Sequence, residues 1–531
     1  MRGDRSSIRL DAPPAQRVVT SPRQGPGVGS WIERRARVAP DSVAIIWGDR
    51  EFTYAESAGR IRRLAGALID MGVELGDRVA WLGPNHPAFL EAFFAAGSIG
   101  AAVAPVNHRL PPDQIGPVME TAEPCVLIGN APEGPEPLPP SVRHLIAVSH
   151  PAGGALDYET LVAGSSEAPV DRAVGMDDVC LLPHTSGTTG APKRILLTHA
   201  NVTWNVVNFL SCADFRSDDV TPAIAPFFRV GGVGVNVLPV LFMGGTVIVP
   251  TEGTPDEILA LMERHRVTVG FGNPDSLDAL TRAERWPTAD LSSVRFIMTG
   301  GAPVPERLIR TYLDRGVTMQ QGYGLSEAAP LALLLDPGDA LRKLGSAGKP
   351  PLLVDVRVAD VRGENVPPGA TGELLVRGPN VMLGYRNQPE ATRRALSPEG
   401  WLRTGDAARI DEEGFVWIVD RVADAIALED RTVYPGDVER ALAEHPAVAE
   451  AGVTSAAGGL VALVVLGPGA GATEDDLVAF VRDRLAPHEI PGAVQFVDHL
   501  PRSSVGKLLR ADLRALAERP VPGDVSRPAG S

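Results

Sequence analysis

Thr185-Ser186-Gly187-Thr188-Thr189-Gly190-Ala191-Pro192-Lys193 sets four hydroxyls around two glycines and closes on a lysine. Glycine lets backbone N–H groups turn toward an anion without a Cβ clash. Hydroxyls donate to phosphate oxygens, and a lysine adds a point charge. The stretch follows the apolar run 179–182, so it reads as a loop leaving a strand. It lacks the Gly-Lys-Ser/Thr ending that opens a helix in a Walker A loop. A plain Ser/Thr/Gly linker would share the composition, though not the ordered Pro192 and Lys193. Alone, the loop says phosphate and no more.

Outward from it, helical and strand patterns alternate. Residues 57–71 and 255–265 carry helical apolar spacing, while 78–82 and 245–249 read as strands. The apolar stretch 93–106 reads as a buried helix followed by a strand. Such alternation predicts α/β layers with crossover units. The last hundred or so residues form a smaller unit, with helices at 438–445 and 474–485 and a strand at 460–466. Residues 1–26 and 518–531 read as Pro/Gly-rich tails. Domains are expected at 27–420 and 421–517, with the seam near Asp420-Arg421. The chain has 531 residues, ample for more than one domain. Its net charge of −15 and lack of a basic patch argue against nucleic-acid binding. Three cysteines, widely spaced, build neither a disulfide framework nor a zinc site. There is no apolar run of about 20 residues and no apolar core behind Arg2 and Arg5, so no membrane partner and a cytoplasmic location are expected.

The loop resembles the signature of the adenylate-forming superfamily: acyl- and aryl-CoA synthetases, luciferases and peptide-synthetase adenylation domains, the AMP-dependent synthetases and ligases. The resemblance continues in order. Thr198-His199-x-Asn201 follows, then Pro226-Phe227-Phe228-Arg229-Val230-Gly231-Gly232, Thr299-Gly300-Gly301-Ala302-Pro303 and Gln321-Gly322-Tyr323-Gly324-Leu325-Ser326-Glu327. Gly372-Glu373-Leu374, Gly384-Tyr385, 401–406, Asp420-Arg421 and Pro501-Arg502-x-x-x-Gly506-Lys507 complete the set. It implies a large N-terminal α/β domain of layered sheets and helices with a small mobile α+β C-terminal domain. It also implies ATP, Mg²⁺ and, as cosubstrate, CoA.

By the same resemblance, Lys507 reaches the acid's carboxylate and the α-phosphate. A fixed cation there stabilises charge developing between two anions. Glu327 is expected to hold Mg²⁺, as a hard carboxylate suits. Its loop is expected to open a helix, with Ser326 offering a hydroxyl to the α-phosphate. Tyr323 is expected to stack on adenine, with Gly301, Ala302 and Pro303 on its other side and Gly322 and Gly324 around it. Asp406 suits the ribose hydroxyls, since one carboxylate accepts both; Arg421 adds a ribose or phosphate contact. Thr185, Ser186, Gly187, Thr188, Thr189, Gly190 and Lys193 cradle the phosphates. Phe228, Arg229, Gly231 and Gly300 line the acid pocket. His199 has no companion metal ligand and reads as structural.

Four positions depart from the family pattern. Arg229 stands where histidine is usual: it either binds a second anionic group or small oxyanion, or points away and pairs with an acid. Arg194 replaces a glycine, a matter of packing. Ala423 sits at the hinge. Glu429 and Asp430 replace a glycine pair, where side chains would crowd a pantetheine arm. The expected activity is therefore ATP-dependent activation of a small carboxylic acid as acyl-AMP, with release of pyrophosphate and transfer to CoA. The alternative keeps adenylation but changes the acceptor to a carrier-protein thiol or an amine, including a diazotase-like activation of nitrite. Lys507, Glu327 and Asp406 speak against a degenerate nucleotide-binding protein. A homodimer is expected by analogy alone.

Overall fold

The computed structural model describes residues 25–130, 138–149, 151, 154–170, 172–185, 192–251, 253–302, 304–428, 431–456, 459–502 and 508–518. Apart from Gly25, Pro26 and Glu518, both expected tails lie outside them. The chain divides into two compact units, Met1–Val206 with Phe215–Gly253 and Val207–Asp214 with Thr254–Ser531. The seam expected at 420/421 falls inside the second unit.

In the first unit, Arg78–Leu82 is the strand its sequence marks. It pairs in parallel with Ala102–Val106 on one side and Val126–Gly129 on the other. His144–Ala147 and Leu156–Asp157 continue the sheet, also in parallel. On the opposite flank Val179–Leu181 joins Ala102–Val106 in parallel, and Lys193–Thr198 returns antiparallel. Parallel neighbours demand crossovers, which here are mostly helical. One is Pro87–Ile99, buried along its whole length, as is the strand Ala102–Val106 after it. A helix with no wet face needs no amphipathic period, so the sequence shows only an apolar run. The His86 imidazole caps its start, and Gly100, at φ +78°, ends it. Tyr54–Asp70 starts on a reciprocal capping box between Thr53 and Glu56. A second sheet runs Val220–Pro222, Thr246–Val249 and Val43–Trp47 in parallel, closed by the antiparallel strand Arg50–Thr53.

The second unit holds two sheets that carry candidate residues. Val269–Gly272, Phe296–Gly300 and Thr318–Gly324 run parallel, and Leu331–Leu334 returns antiparallel. Asp355–Ala359, Gly372–Arg377, Leu402–Ile410 and Val416–Arg421 form an antiparallel meander. Ala332, Leu333, Val354, Val358, Leu374, Val376, Ala408 and Val416 share one core, so the two sheets are packed together. Toward the C-terminus, Val448–Ala456 and Gly459–Leu466 pair antiparallel, with Ala493–Phe496 parallel to the latter. Helices Pro435–Ala443 and Glu474–Arg482 bury Val438, Leu442, Leu477 and Val481 in that part's own core. The fold is mixed α/β with layered sheets, as expected. Among the described residues no helix is long and apolar enough to cross a membrane.

His199 is fully buried at the head of the helix His199–Cys212, and its Nδ1 accepts the Val28 N–H at 3.1 Å. Burial, opposed by nearby Asp178, pushes its pKa down to about 4. The unfolded chain would take up that proton first, near pH 6.5. Stability is therefore whole above about pH 6.5 and is lost as pH falls toward 4, by up to ~3 kcal/mol from this group. Urea midpoints at pH 7 and pH 5 should draw together in His199→Gln relative to the native chain; an unchanged gap would refute this.

Candidate active site

The phosphate-type loop is a hairpin connection. His184–Thr185 pairs antiparallel with Lys193–Arg194, so the loop leaves one strand and returns on the next. Ser186, Gly187, Thr188, Thr189 and Gly190 lie outside the described residues. The hairpin's base is fixed by Arg194, which is 1% exposed. Its guanidinium donates to the carbonyls of Leu182, Pro105 and Val118 and to Thr121 Oγ1, at 2.8 to 3.2 Å. The departure from glycine is thus an anchor between the hairpin and the two segments beside it. His184 accepts the Asn107 N–H at Nε2, and burial, with Arg194 and Arg229 nearby, holds its pKa at about 4. It is neutral in the physiological range.

The acid-pocket motif is held by a residue the sequence did not single out. Asn85 accepts the Phe227 N–H at 2.7 Å and donates to the carbonyls of Ala223 and Ala225. Gly232 is obligatory, because a Cβ there would lie 2.0 Å from the Pro226 carbonyl oxygen. Phe228 is buried, with the His108 ring edge-on to it. The guanidinium carbons of Arg109 and Arg229 each lie 5.9 Å from its centre. Arg229 has no acidic partner among the described residues. Desolvation and the like charge of Arg109 lower its pKa. Of the two alternatives the sequence left open, pairing with an acid is not found among the described residues. Gly231 lies within the short helix Val230–Gly234.

In the second unit Thr299 and Gly300 end one parallel strand, with Gly301 just beyond it, and Gln321, Gly322, Tyr323 and Gly324 end its neighbour. Gly300 pairs with Gly322 so closely that a Cβ would lie 2.5 Å from the Gly322 carbonyl oxygen. Its glycine identity is set by strand packing. Gly301 turns the chain with φ +84°, a conformation that favours glycine even though a Cβ there would meet no neighbour; Pro303 lies outside the described residues. Thr299 and Gln321 are register neighbours, and Thr299 Oγ1 and Gln321 Oε1 are buried without partners among the described residues. Unmet polar atoms at the C-terminal end of parallel strands suit a ligand that brings hydrogen-bond donors.

Tyr323 belongs to the strand Thr318–Gly324 rather than to a loop. Its hydroxyl donates to Asp406 Oδ2 at 2.5 Å, and the Arg421 guanidinium binds Asp406 Oδ1 at 2.6 Å. Asp406 and Arg421 face each other across neighbouring strands. The Asp406 N–H donates to Thr404 Oγ1, which in turn donates to the Leu374 carbonyl. Burial and Asp406 raise the Tyr323 pKa well above that of a free phenol, so it stays a donor.

Ser326 and Glu327 open no helix. They form the three-residue 3₁₀ turn Ser326–Ala328, which ends on Ala329 in the left-handed region. Three residues are too few for a helix dipole to matter, so the carboxylate is placed by contacts instead. Tyr385, an unassigned member of the Gly384-Tyr385 motif, donates to Glu327 Oε1 at 2.8 Å. Among the described residues no cluster of three or more His, Cys, Asp and Glu could hold a metal ion. Glu327 alone fits magnesium's habit of using one or two carboxylates and taking its other ligands from phosphates and water. Lys507, Glu429 and Asp430 lie outside the described residues, so the general cation and the altered glycine pair have no geometry here.

The AMP-binding enzyme family model matches residues 32–386, and the model of the AMP-binding enzyme C-terminal domain matches residues 437–507. A feruloyl-CoA synthase of an Amycolatopsis species is 44% identical over 92% of this chain and 98% of its own. An indoleacetate–CoA ligase of Aromatoleum aromaticum is 36% identical over 93% and 98%. Among solved structures, the Bacillus subtilis O-succinylbenzoate coenzyme A synthetase in complex with ATP and magnesium superposes with a TM-score of 0.79. It is 29% identical and covers 91% of this chain and 99% of that one.

Replacing Arg194 by alanine strands three buried carbonyls and leaves a cavity, a loss of at least ~3 kcal/mol of unfolding free energy. Denaturant titration measures it directly. A loss below about 1 kcal/mol, the range of an ordinary surface change, would show that the arginine does not anchor the hairpin.

Proposed function

The chain belongs to the AMP-binding enzyme family, and from that premise we propose that the acid it activates is aromatic, of the arylacrylate or arylacetate kind. The enzyme is an ATP-dependent, AMP-forming acid–CoA ligase. A carboxylate is a poor electrophile until its oxygen becomes a good leaving group. The carboxylate oxygen bonds to the α-phosphorus of ATP as the bond to pyrophosphate breaks. The CoA sulfur then bonds to the acyl carbon as AMP departs. Magnesium, when bound, neutralises phosphate charge that would otherwise repel the incoming carboxylate.

The chain's residues take these parts. Glu327 is proposed as the magnesium carboxylate, with Ser326 near the α-phosphate and Lys507 as the cation between acid and phosphate. Asp406 already holds Tyr323 and Arg421, so a ribose would join an ordered carboxylate rather than recruit a loose one. Thr185 to Gly190 and Lys193 are proposed for the phosphates, and Gly301, Ala302, Pro303, Gly322 and Gly324 for the adenine. The small unit from Arg421 to Ala517 is proposed as the domain that turns between the two half-reactions. The alternative acceptors, a carrier thiol or an amine, rested on Arg229 together with Glu429 and Asp430. Full-length similarity to CoA ligases favours CoA.

The observation that carries the aromatic reading is 44% identity over nearly the whole length to a feruloyl-CoA synthase. The buried Phe227 and Phe228 suit a flat ring. Arg229, with no acid to satisfy it, suits an oxygen substituent on that ring. We place the reaction in the cytoplasm, where ATP and CoA are both abundant.

Three measurements check this reading. Against ferulate, cinnamate, indoleacetate and octanoate, kcat/KM should favour the aromatic acids at least ~10-fold; a preference for octanoate sinks it. Arg229→Ala should weaken ferulate ~10-fold more than unsubstituted cinnamate; an equal loss on both would show that Arg229 does not read the ring. Lys507→Ala should cost at least ~100-fold in acid-dependent pyrophosphate exchange, and unchanged exchange refutes its role.

A further inference from the structure

Asp406 and Glu327 are the two carboxylates of the candidate site that the structure describes, and they are held by opposite chemistry. Asp406 is neutralised by Arg421 in an ion pair. Glu327 makes no ion pair among the described residues, although Arg421 lies near enough to feel its charge. Its one side-chain bond is from the neutral phenol of Tyr385. A cation would orient a carboxylate and cancel its charge together. A phenol orients it and leaves the charge for something else.

The phenol is one of three tethers, all from the single segment Asn380–Tyr385. The Met382 N–H donates to the Glu327 carbonyl at 2.8 Å, fixing the backbone of that residue. Asn380 is fully buried and donates from Nδ2 to the carbonyls of Ala328 at 2.6 Å and Leu331 at 2.8 Å. It thus ties the last residue of the turn that carries Glu327 to the first residue of the strand that follows. Tyr385 is itself placed from behind, since its N–H donates to Thr392 Oγ1 at 2.9 Å and that hydroxyl donates to the Gln388 carbonyl. A phenol keeps its proton at neutral pH, so this contact is a donor to the carboxylate. A glutamate has several rotatable bonds, and freezing them at the moment of binding is costly. Here they are restrained beforehand, with Oε1 committed and the remaining oxygen without a hydrogen-bond partner among the described residues.

We infer that Tyr385, backed by Asn380 and the Met382 amide, is a positioning residue that holds the Glu327 carboxylate ready for the divalent cation of ATP. The inference rests on the proposal that Glu327 is the magnesium carboxylate. It assigns a cause to the Gly384-Tyr385 motif, which sits 58 residues from the turn it braces. No atom of Tyr385 need touch ATP. Its effect passes through Glu327.

Calorimetric titration of ATP without acid, in magnesium and then in EDTA, separates the possibilities without turnover. In Tyr385→Phe the affinity for ATP in magnesium should fall ~10-fold, the worth of a hydrogen bond to a charged group, while affinity in EDTA stays as in the native protein. Magnesium at half-maximal pyrophosphate exchange should rise by a similar factor, with KM for the acid unchanged. Thermal melting confirms that the variant folds. Equal losses in magnesium and EDTA, or no loss in either, overturn the brace. Glu327→Gln tells the two readings apart. If it abolishes the magnesium-dependent part of the affinity while Tyr385→Phe does not, the brace alone fails. If Glu327→Gln keeps native magnesium dependence, the assignment of Glu327 fails and takes the brace with it.

Discussion

The carboxylate of Asp406 joins the two sheets that carry half of the candidate site. It takes the Tyr323 hydroxyl from the parallel sheet at 2.5 Å and the Arg421 guanidinium from its own antiparallel sheet at 2.6 Å. Around it the sheets share an apolar core that includes Leu333, Leu374, Val376 and Ala408, with Tyr323 packed on its edge. The core supplies adhesion without direction. The polar triad supplies direction, since a phenol, a carboxylate and a guanidinium meet in few arrangements. Gly300 and Gly324 then let backbone run where any side chain would collide. The strand ends that result are bare backbone flanked by a fixed phenol and a fixed acid, a suitable floor for a flat polar ligand.

Charge is handled locally, against a background of −15 for the whole chain. Each arginine has a different job. Arg194 is neutralised by carbonyl dipoles and serves as an anchor. Arg421 is spent on Asp406. Arg229 sits beside Phe228 and Arg109 with no acid to answer it among the described residues. The carboxylates divide in the same way, Asp406 paired with a cation and Glu327 held by a phenol. A reaction that must bring a carboxylate up to a polyphosphate needs both kinds of group: some cancelled so that the framework holds, some left charged to bind cation or anion.

Regular elements were legible because apolar period and punctuation agree at those places. The strand at 78–82 falls where it was read, and the helix read at 255–265 spans Pro255–Arg264. The motif order gave the family and with it the ATP chemistry. Elsewhere the reading depended on partners distant in sequence. Glu327 was expected to open a helix, yet its turn stops after three residues and is fixed by Asn380 and Tyr385, more than fifty residues on. No local pattern encodes that. Asn85 clamps the Phe227 segment from 142 residues away and carries no motif of its own. Arg194 looked like a packing detail because burial of a charged side chain is invisible until its carbonyl partners are assembled. Gly300 was assigned to the acid pocket from the motif alone, and the register adds a strand contact that only glycine permits.

In acyl-adenylate formation the acid's own oxygen attacks the α-phosphorus of ATP. Single-turnover reaction with ferulate carrying ¹⁸O in both carboxylate oxygens, followed by mass spectrometry of the nucleotide, tests it directly. Transfer of the acyl group to CoA should leave AMP with one ¹⁸O atom and pyrophosphate with none. Label in pyrophosphate or phosphate, or AMP without label, would contradict an acyl-adenylate and with it the roles given to Glu327, Asp406 and Lys507.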